Sequence, residues 1–218
     1  MLSAASLADI VWHSAPTEAS QLKTLFDSKD IYAKILTSGF GVDTNFFRSG
    51  VNLNKRTGFA FFRGKVDAFD TTTQYQERRQ LIKLLTRDKK IDIRPYQPDR
   101  FSDTELANEY LSYKICLDLP SVFKGPTTRV YEALSCGCIV ISKTTNFTQK
   151  ELSELSPLLV PFRNDKDLLE LIEYFKSIDD FNYYQINESH LKQKIGLEHK
   201  CNQLHEFIRS VYTLKINE

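Results

Sequence analysis

Short runs of β-branched and aromatic residues recur along this chain, and most are separated by roughly ten residues of helical periodicity. Two strands that pair in parallel need a crossover of about that length, and a helix is the usual one. The alternation therefore points to an α/β fold, a Rossmann-like parallel sheet with flanking helices. Strands are expected over residues 8–14 (ADIVWHS), 32–37 (YAKILT), 58–62 (GFAFF), 91–94, 113–119 (YKICLDL), 138–142 (CIVIS) and 158–162. Helices are expected over 17–26, 77–87, 103–111, 128–135, 147–155 and 165–178, and one long helical region over about 183–212. Ser102 reads as an N-cap and Gly137 as a helix stop. The strands form two groups, a short one before residue 49 and a fuller one between 57 and 163. The polar stretch 48–57 is the best linker between them.

Lys and Arg number 29 against 28 Asp and Glu, a formal net charge of +1. Bulk charge is thus not built to grip nucleic acid or an anionic membrane. No run of about 18 apolar residues exists to span a bilayer. The first fifteen or so residues lack a basic n-region and read as mature fold rather than signal peptide. The four cysteines stand in or beside apolar runs, as buried reduced thiols of a cytoplasmic protein do. Cys136 and Cys138 form a CxC, but no second Cys/His pair stands at zinc spacing, so no metal site is expected.

Parallel sheets bind ligands at the carboxyl ends of their strands. After GFAFF come Arg63, Gly64 and Lys65. Between Gly50 and Val66 lie four basic residues (Lys55, Arg56, Arg63, Lys65) and no acid. That segment reads equally as a solvated turn or as a cationic bend for a pyrophosphate, with Gly64 allowing close approach. After YKICLDL the turn Gly125-Pro126-Thr127-Thr128 opens a helix, offering free N–H groups, hydroxyls and a dipole to an anion. Glu132, one turn on from Thr128 and beside Arg129, is placed to accept two hydroxyl hydrogen bonds, as from a ribose diol. The plainer reading makes Thr128 an N-cap and Glu132 a surface charge. His13, at the end of its strand's apolar run, is a candidate general base, though histidines there are more often structural. His190, His199 and His205 read as solvated. Neither a Ser/His/Asp order nor a GxxxxGK[ST] run is present.

The run RVYEALSCGCIVI from Arg129 resembles a signature in the C-terminal domain of GT-B glycosyltransferases, R-x-[FY]-E-A-x-x-x-G-x-[PIL]-x-[VIL]. It is most similar to the spore-coat-type, group 1 branch, and exostosin-like enzymes have a related run. Ala8-Asp9-Ile10-Val11 with Ser14 resembles a strand late in the N-terminal domain of such enzymes. Residues 39–47 (GFGVDTNFF) resemble their interdomain crossover. Phe62-Arg63-Gly64 with Tyr75 and Arg78-Arg79 resembles the first strand, turn and helix of the donor domain.

This resemblance implies a nucleotide-sugar donor domain over 50–218, and a remnant of an N-terminal α/β domain with its crossover over 1–49. It implies transfer of a sugar from a nucleotide-diphosphate donor to an acceptor hydroxyl, without metal or resident cofactor. Glu132 would hold the ribose. Arg63, Gly64, Lys65 and the helix start at Gly125, Thr127, Thr128 and Arg129 would hold the diphosphate, and Tyr96 would stack on the base. Residues 142–146 (SKTTN) would face the donor sugar or merely cap the next helix. Two departures stand out. Lys124 occupies the place where many relatives carry a second glutamate, and the N-terminal domain, which in such enzymes carries the acceptor site, is reduced to about two strands. The chain is then a fragment, a minimal enzyme, or half of a two-chain enzyme. The alternative is a non-catalytic nucleotide-sugar-binding or scaffold module that needs a partner subunit. A dinucleotide fold is disfavoured by the lack of GxGxxG after the first strand.

Overall fold

The computed structural model describes residues 10–13, 19–37, 41–66, 72–87, 91–95, 102–121, 126–144, 147–185 and 187–216. The first group of strands is one βαβ unit. Strand β1 (Ile10–His13) pairs in parallel with β2 (Lys34–Thr37), Ile10 opposite Lys34 and His13 opposite Thr37, with α1 (Ala19–Asp27) between them. Leu22 and Phe26 of α1 and Ile31 are buried there, with Val11 and Ile35 packed against them. This small core is separate from the main one.

The second group is a five-strand, all-parallel sheet in the order β4-β3-β5-β6-β7. Its strands are β3 (Gly58–Gly64), β4 (Asp92–Pro95), β5 (Tyr113–Asp118), β6 (Ile139–Lys143) and β7 (Leu159–Phe162). Strand β5 lies at the centre. Ile115, Cys116 and Leu117 are all buried there, which is why that stretch reads as a continuous apolar run rather than an alternation. The intervening helices are α2 (Thr73–Arg87), α3 (Asp103–Ser112), α4 (Thr128–Ser135), α5 (Gln149–Leu155) and α6 (Asp165–Lys176). The N-terminus of α3 is fixed by a reciprocal box: Ser102 Oγ accepts from the Glu105 N–H while the Glu105 carboxylate accepts from the Ser102 N–H. Those bonds hold the Glu105 carboxyl below its ordinary range. Helix α4 ends before Gly137, which has φ +75°.

The stretch 48–57 connects the two sheets and is packed rather than loose; two other expectations, one continuous C-terminal helix and four buried cysteines, are corrected. Leu53 is buried in a 3-10 turn, and buried Arg56 donates to the carbonyls of Val51, Tyr110, Tyr113 and Cys136 and to Cys138 Sγ. The long C-terminal helical region is two helices, α7 (Glu188–Ile195) and α8 (Leu197–Ile216). Gly196 between them is extended, and its neighbours pair with the crossover: Val42 N–H donates to Ile195 O at 2.9 Å and Leu197 N–H to Val42 O at 2.8 Å. A Cβ on Gly196 would stand 2.5 Å from Lys192 O, so the close approach requires glycine. Lastly, Cys116, Cys136 and Cys138 are buried, but Cys201 is exposed on α8.

Candidate nucleotide-sugar site

Strand β3 leads into α2, and its neighbour β5 leads into α4. Right-handed crossovers send α2 to one face of the sheet and α3 and α4 to the other, which opens a crevice between the carboxyl ends of β3 and β5. Side chains of β3 agree. The Phe61 ring packs on Tyr110 of α3 at 5.8 Å between centroids, and the Phe62 ring lies under the Arg78 guanidinium of α2 at 5.4 Å.

Arg78 sets the shape of this crevice. It is 3% exposed, and it donates from Nε to Pro120 O (2.6 Å), from Nη1 to Lys65 O (3.1 Å) and from Nη2 to Leu119 O (3.4 Å). One guanidinium thus ties the loop after β3 to the loop after β5. Burial, with the like charge of Arg129, lowers its pKa, while Tyr75 and Asp118 oppose the shift. The sequence signal for this role is that Arg78 interrupts the stripe Tyr75, Leu81, Leu85 that α2 buries.

The cations of the 50–66 segment do not act together. Lys55 and Arg56 precede β3 and Arg63 and Lys65 follow or end it, so the strand's seven residues, roughly 20 Å, divide them. Arg63 is buried and ion-paired through Nε and Nη2 with Glu109 of α3, whose other oxygen lies 3.5 Å from Arg94 Nε. Its charge is therefore matched by a carboxylate. Lys65 is exposed, 5.8 Å from the Tyr75 ring. Arg129 reaches back from α4 to the Phe62 ring at 5.5 Å. A Cβ on Gly64 would stand 3.2 Å from Arg129 Nη1 and 2.6 Å from the tip of Phe62, so the missing side chain makes room for that guanidinium. Among the described residues neither Lys65 nor Arg129 has a carboxylate partner.

Thr127 is the N-cap residue of α4, yet its side chain makes no capping bond, and its Oγ1 is buried without a hydrogen-bond partner among the described residues. Such an orphan at a helix start suits an anion or water that donates or accepts there. Thr128 is exposed. Glu132, on the same helix face, is no surface charge. Its carboxylate accepts from Tyr110 OH at 2.8 Å, and burial raises its pKa against the opposing pull of that bond and of Arg129. On β5, Asp118 accepts from Ser142 Oγ at 2.6 Å. At the end of β6, Lys143 pairs with Glu77 of α2, and just beyond it Thr144 Oγ1 donates to Phe162 O.

Gly125, Tyr96 and Lys124 lie outside the described residues, as does the His13 side chain. The His13 backbone ends β1. His190, expected to be solvated, is part-buried, with Nε2 2.8 Å from Glu154 O. Among the described residues no group of three His, Cys, Asp or Glu could hold a metal. Burial raises the Cys136 and Cys138 thiols, Cys138 to about 11, and Cys138 Sγ lies 3.1 Å from Tyr110 O. A groove of about 690 Å3 beside β7, with Thr144, Arg163 and Tyr174 in its wall, lies off the crevice.

Lys65, Arg129, the start of α4 and the half-buried Glu132 thus stand at the switch point of an all-parallel sheet, the architecture of the Rossmann-like domain of GT-B glycosyltransferases. The family model described as glycosyl transferase-like matches residues 74–209, and the chain belongs to that family. No curated protein matches the chain. Sucrose-phosphate synthase from Thermosynechococcus elongatus superposes with a TM-score of 0.65 at 13% identity, over 97% of this chain and 60% of that one. HepE of Anabaena, solved with UDP, gives 0.59 at 11% identity, over 93% and 64%. The C-terminal domain of a group 1 glycosyl transferase, LpcC of Francisella tularensis, gives 0.51 at 15%, over 72% and 100%. The chain thus spans 60% and 64% of the first two. At such identities the likeness is one of fold. Among the described residues no helix is long and apolar enough to cross a membrane.

Proposed function

We propose that this chain binds a nucleotide-diphosphate sugar and transfers the sugar to an acceptor hydroxyl, with residues 50–218 as the donor domain and 1–49 belonging to a second α/β domain. The observation that carries the reading is the convergence of Lys65, Arg129 and the uncapped start of α4 on one crevice. In the transfer the anomeric carbon–oxygen bond to the diphosphate breaks, a bond to the acceptor oxygen forms, and the acceptor proton passes to a base, for which His13 is the candidate. Negative charge grows on the leaving diphosphate. Lys65, Arg129, the Thr127 hydroxyl and the N–H groups of the α4 start meet it without a metal ion. Glu132 accepts from the ribose diol. Support comes also from HepE, a neighbour in fold that was solved with UDP and with UDP-glucose. Three buried thiols suit a reducing cytoplasm.

Calorimetric titration with UDP, GDP and ADP tests donor binding. The parent binds one of them, and Arg129→Ala weakens it by about tenfold or more, as loss of a charge-assisted bond requires. Equal affinity in both proteins would remove Arg129 from the site. A second reading, a binding module that works with a partner polypeptide, draws on the neighbour described as the GtfA/B complex. Slow hydrolysis of a nucleotide-sugar by the purified chain favours the enzyme. Binding without turnover, restored by another polypeptide, favours the module.

A further inference from the structure

Tyr110 is fully buried in the last turn of α3, and its ring is boxed by Phe61 and Phe47 with centroids 5.8 and 6.2 Å away. Only the phenol oxygen leaves this box, and it donates to Glu132 Oε2 at 2.8 Å. A carboxylate offers about four acceptor positions on its two oxygens. Among the described residues nothing donates to Oε1. A carboxylate so desolvated needs further donors, and a vicinal diol supplies two. We propose that Tyr110 is a positioning residue for donor binding: its hydroxyl locks the Glu132 carboxylate so that the free acceptor positions meet the ribose 2′- and 3′-hydroxyls.

This rests on the reading of Glu132 as the ribose ligand. Two further facts fit it. Burial and the Glu132 charge raise the Tyr110 phenol well above its ordinary range, so it remains a donor throughout the working pH range. The Tyr110 bond also pulls the Glu132 carboxyl down against burial. The other groups whose charge acts on Glu132 or is acted on by it are Asp103 of α3, Arg129 of its own helix, Cys116 of β5 and Cys136 after α4.

The test compares ribose with 2′-deoxyribose. UDP, GDP, ADP and their 2′-deoxy counterparts are titrated into the parent, Tyr110→Phe and Glu132→Gln, with thermal melting of each; Tyr110→Met is a second variant without the hydroxyl. The parent prefers the ribose form of its nucleotide by about tenfold, as one bond to a charged group gives. Tyr110→Phe brings the preference to within about threefold, and the acid limb of its affinity–pH profile moves to higher pH. A Tyr110→Phe protein that keeps the parent's preference and pH profile, whatever its melting temperature, overturns the proposal while Glu132→Gln still lowers the preference. If Glu132→Gln also keeps the preference, or the parent binds no nucleotide, the ribose reading itself fails and the proposal with it.

Discussion

Glu109 closes on Arg63 at the end of β3, and the very next residue of α3, Tyr110, closes on Glu132 of α4. One helical turn therefore holds two residues that the sequence marks as donor ligands. It leaves them in different states: Arg63 is matched by a full carboxylate, and Glu132 is met by a neutral phenol. On the function proposed above, Arg129 with Lys65, rather than the paired Arg63, would carry the charge open to a diphosphate.

Arg63→Ala should lower stability more than it lowers nucleotide affinity. It leaves the half-buried Glu109 with, among the described residues, only the more distant Arg94 as partner, and breaking such a pair costs about 3 kcal/mol. Urea unfolding reads the loss directly. An Arg63→Ala protein with parental stability and abolished nucleotide binding would return Arg63 to the diphosphate.

Arg78→Met should loosen both loops at once. Removing the guanidinium strands the carbonyls of Lys65, Leu119 and Pro120, at a cost of roughly 2–4 kcal/mol. Hydrogen exchange should rise in the segments after β3 and β5 and stay unchanged around β1 and β2. Uniform exchange across the chain would show that Arg78 does not tie these loops.

The raised pKa of Glu132 has a definite sign in stability. A carboxyl whose folded pKa lies above its unfolded value stabilises the fold most when protonated, below the unfolded pKa, and that contribution is lost as pH rises through the folded pKa. Glu132→Gln should therefore melt higher than the parent at neutral pH, with the gap closing on acidification. A gap that widens in acid would mean that Glu132 is stabilised in its charged form.

Gly196→Ala should destabilise the α7–α8 junction. Its Cβ would meet the Lys192 backbone oxygen, which cannot swing aside, and shifts of that kind cost about 1–3 kcal/mol. Circular dichroism melting checks this. A melt identical to the parent's would mean the junction is not held by the Val42 pairing.

Strand and helix positions were legible because hydrophobic period and helix caps are local. Ser102 and Gly137 marked their helix ends as expected. What the sequence hid depended on partners distant along the chain. Arg56 looked like a linker charge, but the carbonyls of Tyr110, Tyr113 and Cys136, from two other regions, surround it along with its own segment's Val51. The break at Gly196 lies inside a continuous helical period, and it coincides with the pairing of its neighbours with Val42, far away in sequence. Arg63 and Lys65 are two residues apart, yet Glu109 separates their roles, and Glu109 sits on a helix that no spacing rule connects to them. Glu132 was legible as a residue of interest through its resemblance, but its burial against Tyr110 follows only from how α3 packs on α4.

The central claim is that the crevice between β3 and β5 holds a nucleoside diphosphate on Arg129, the α4 start and Glu132. Isothermal titration of UDP, GDP and ADP into the parent, Arg129→Ala and Glu132→Ala tests it most directly. The account predicts saturable one-to-one binding of one nucleotide to the parent and a loss of about tenfold or more in each variant. Parental affinity in both variants, or a parent that binds none of the three, would contradict it.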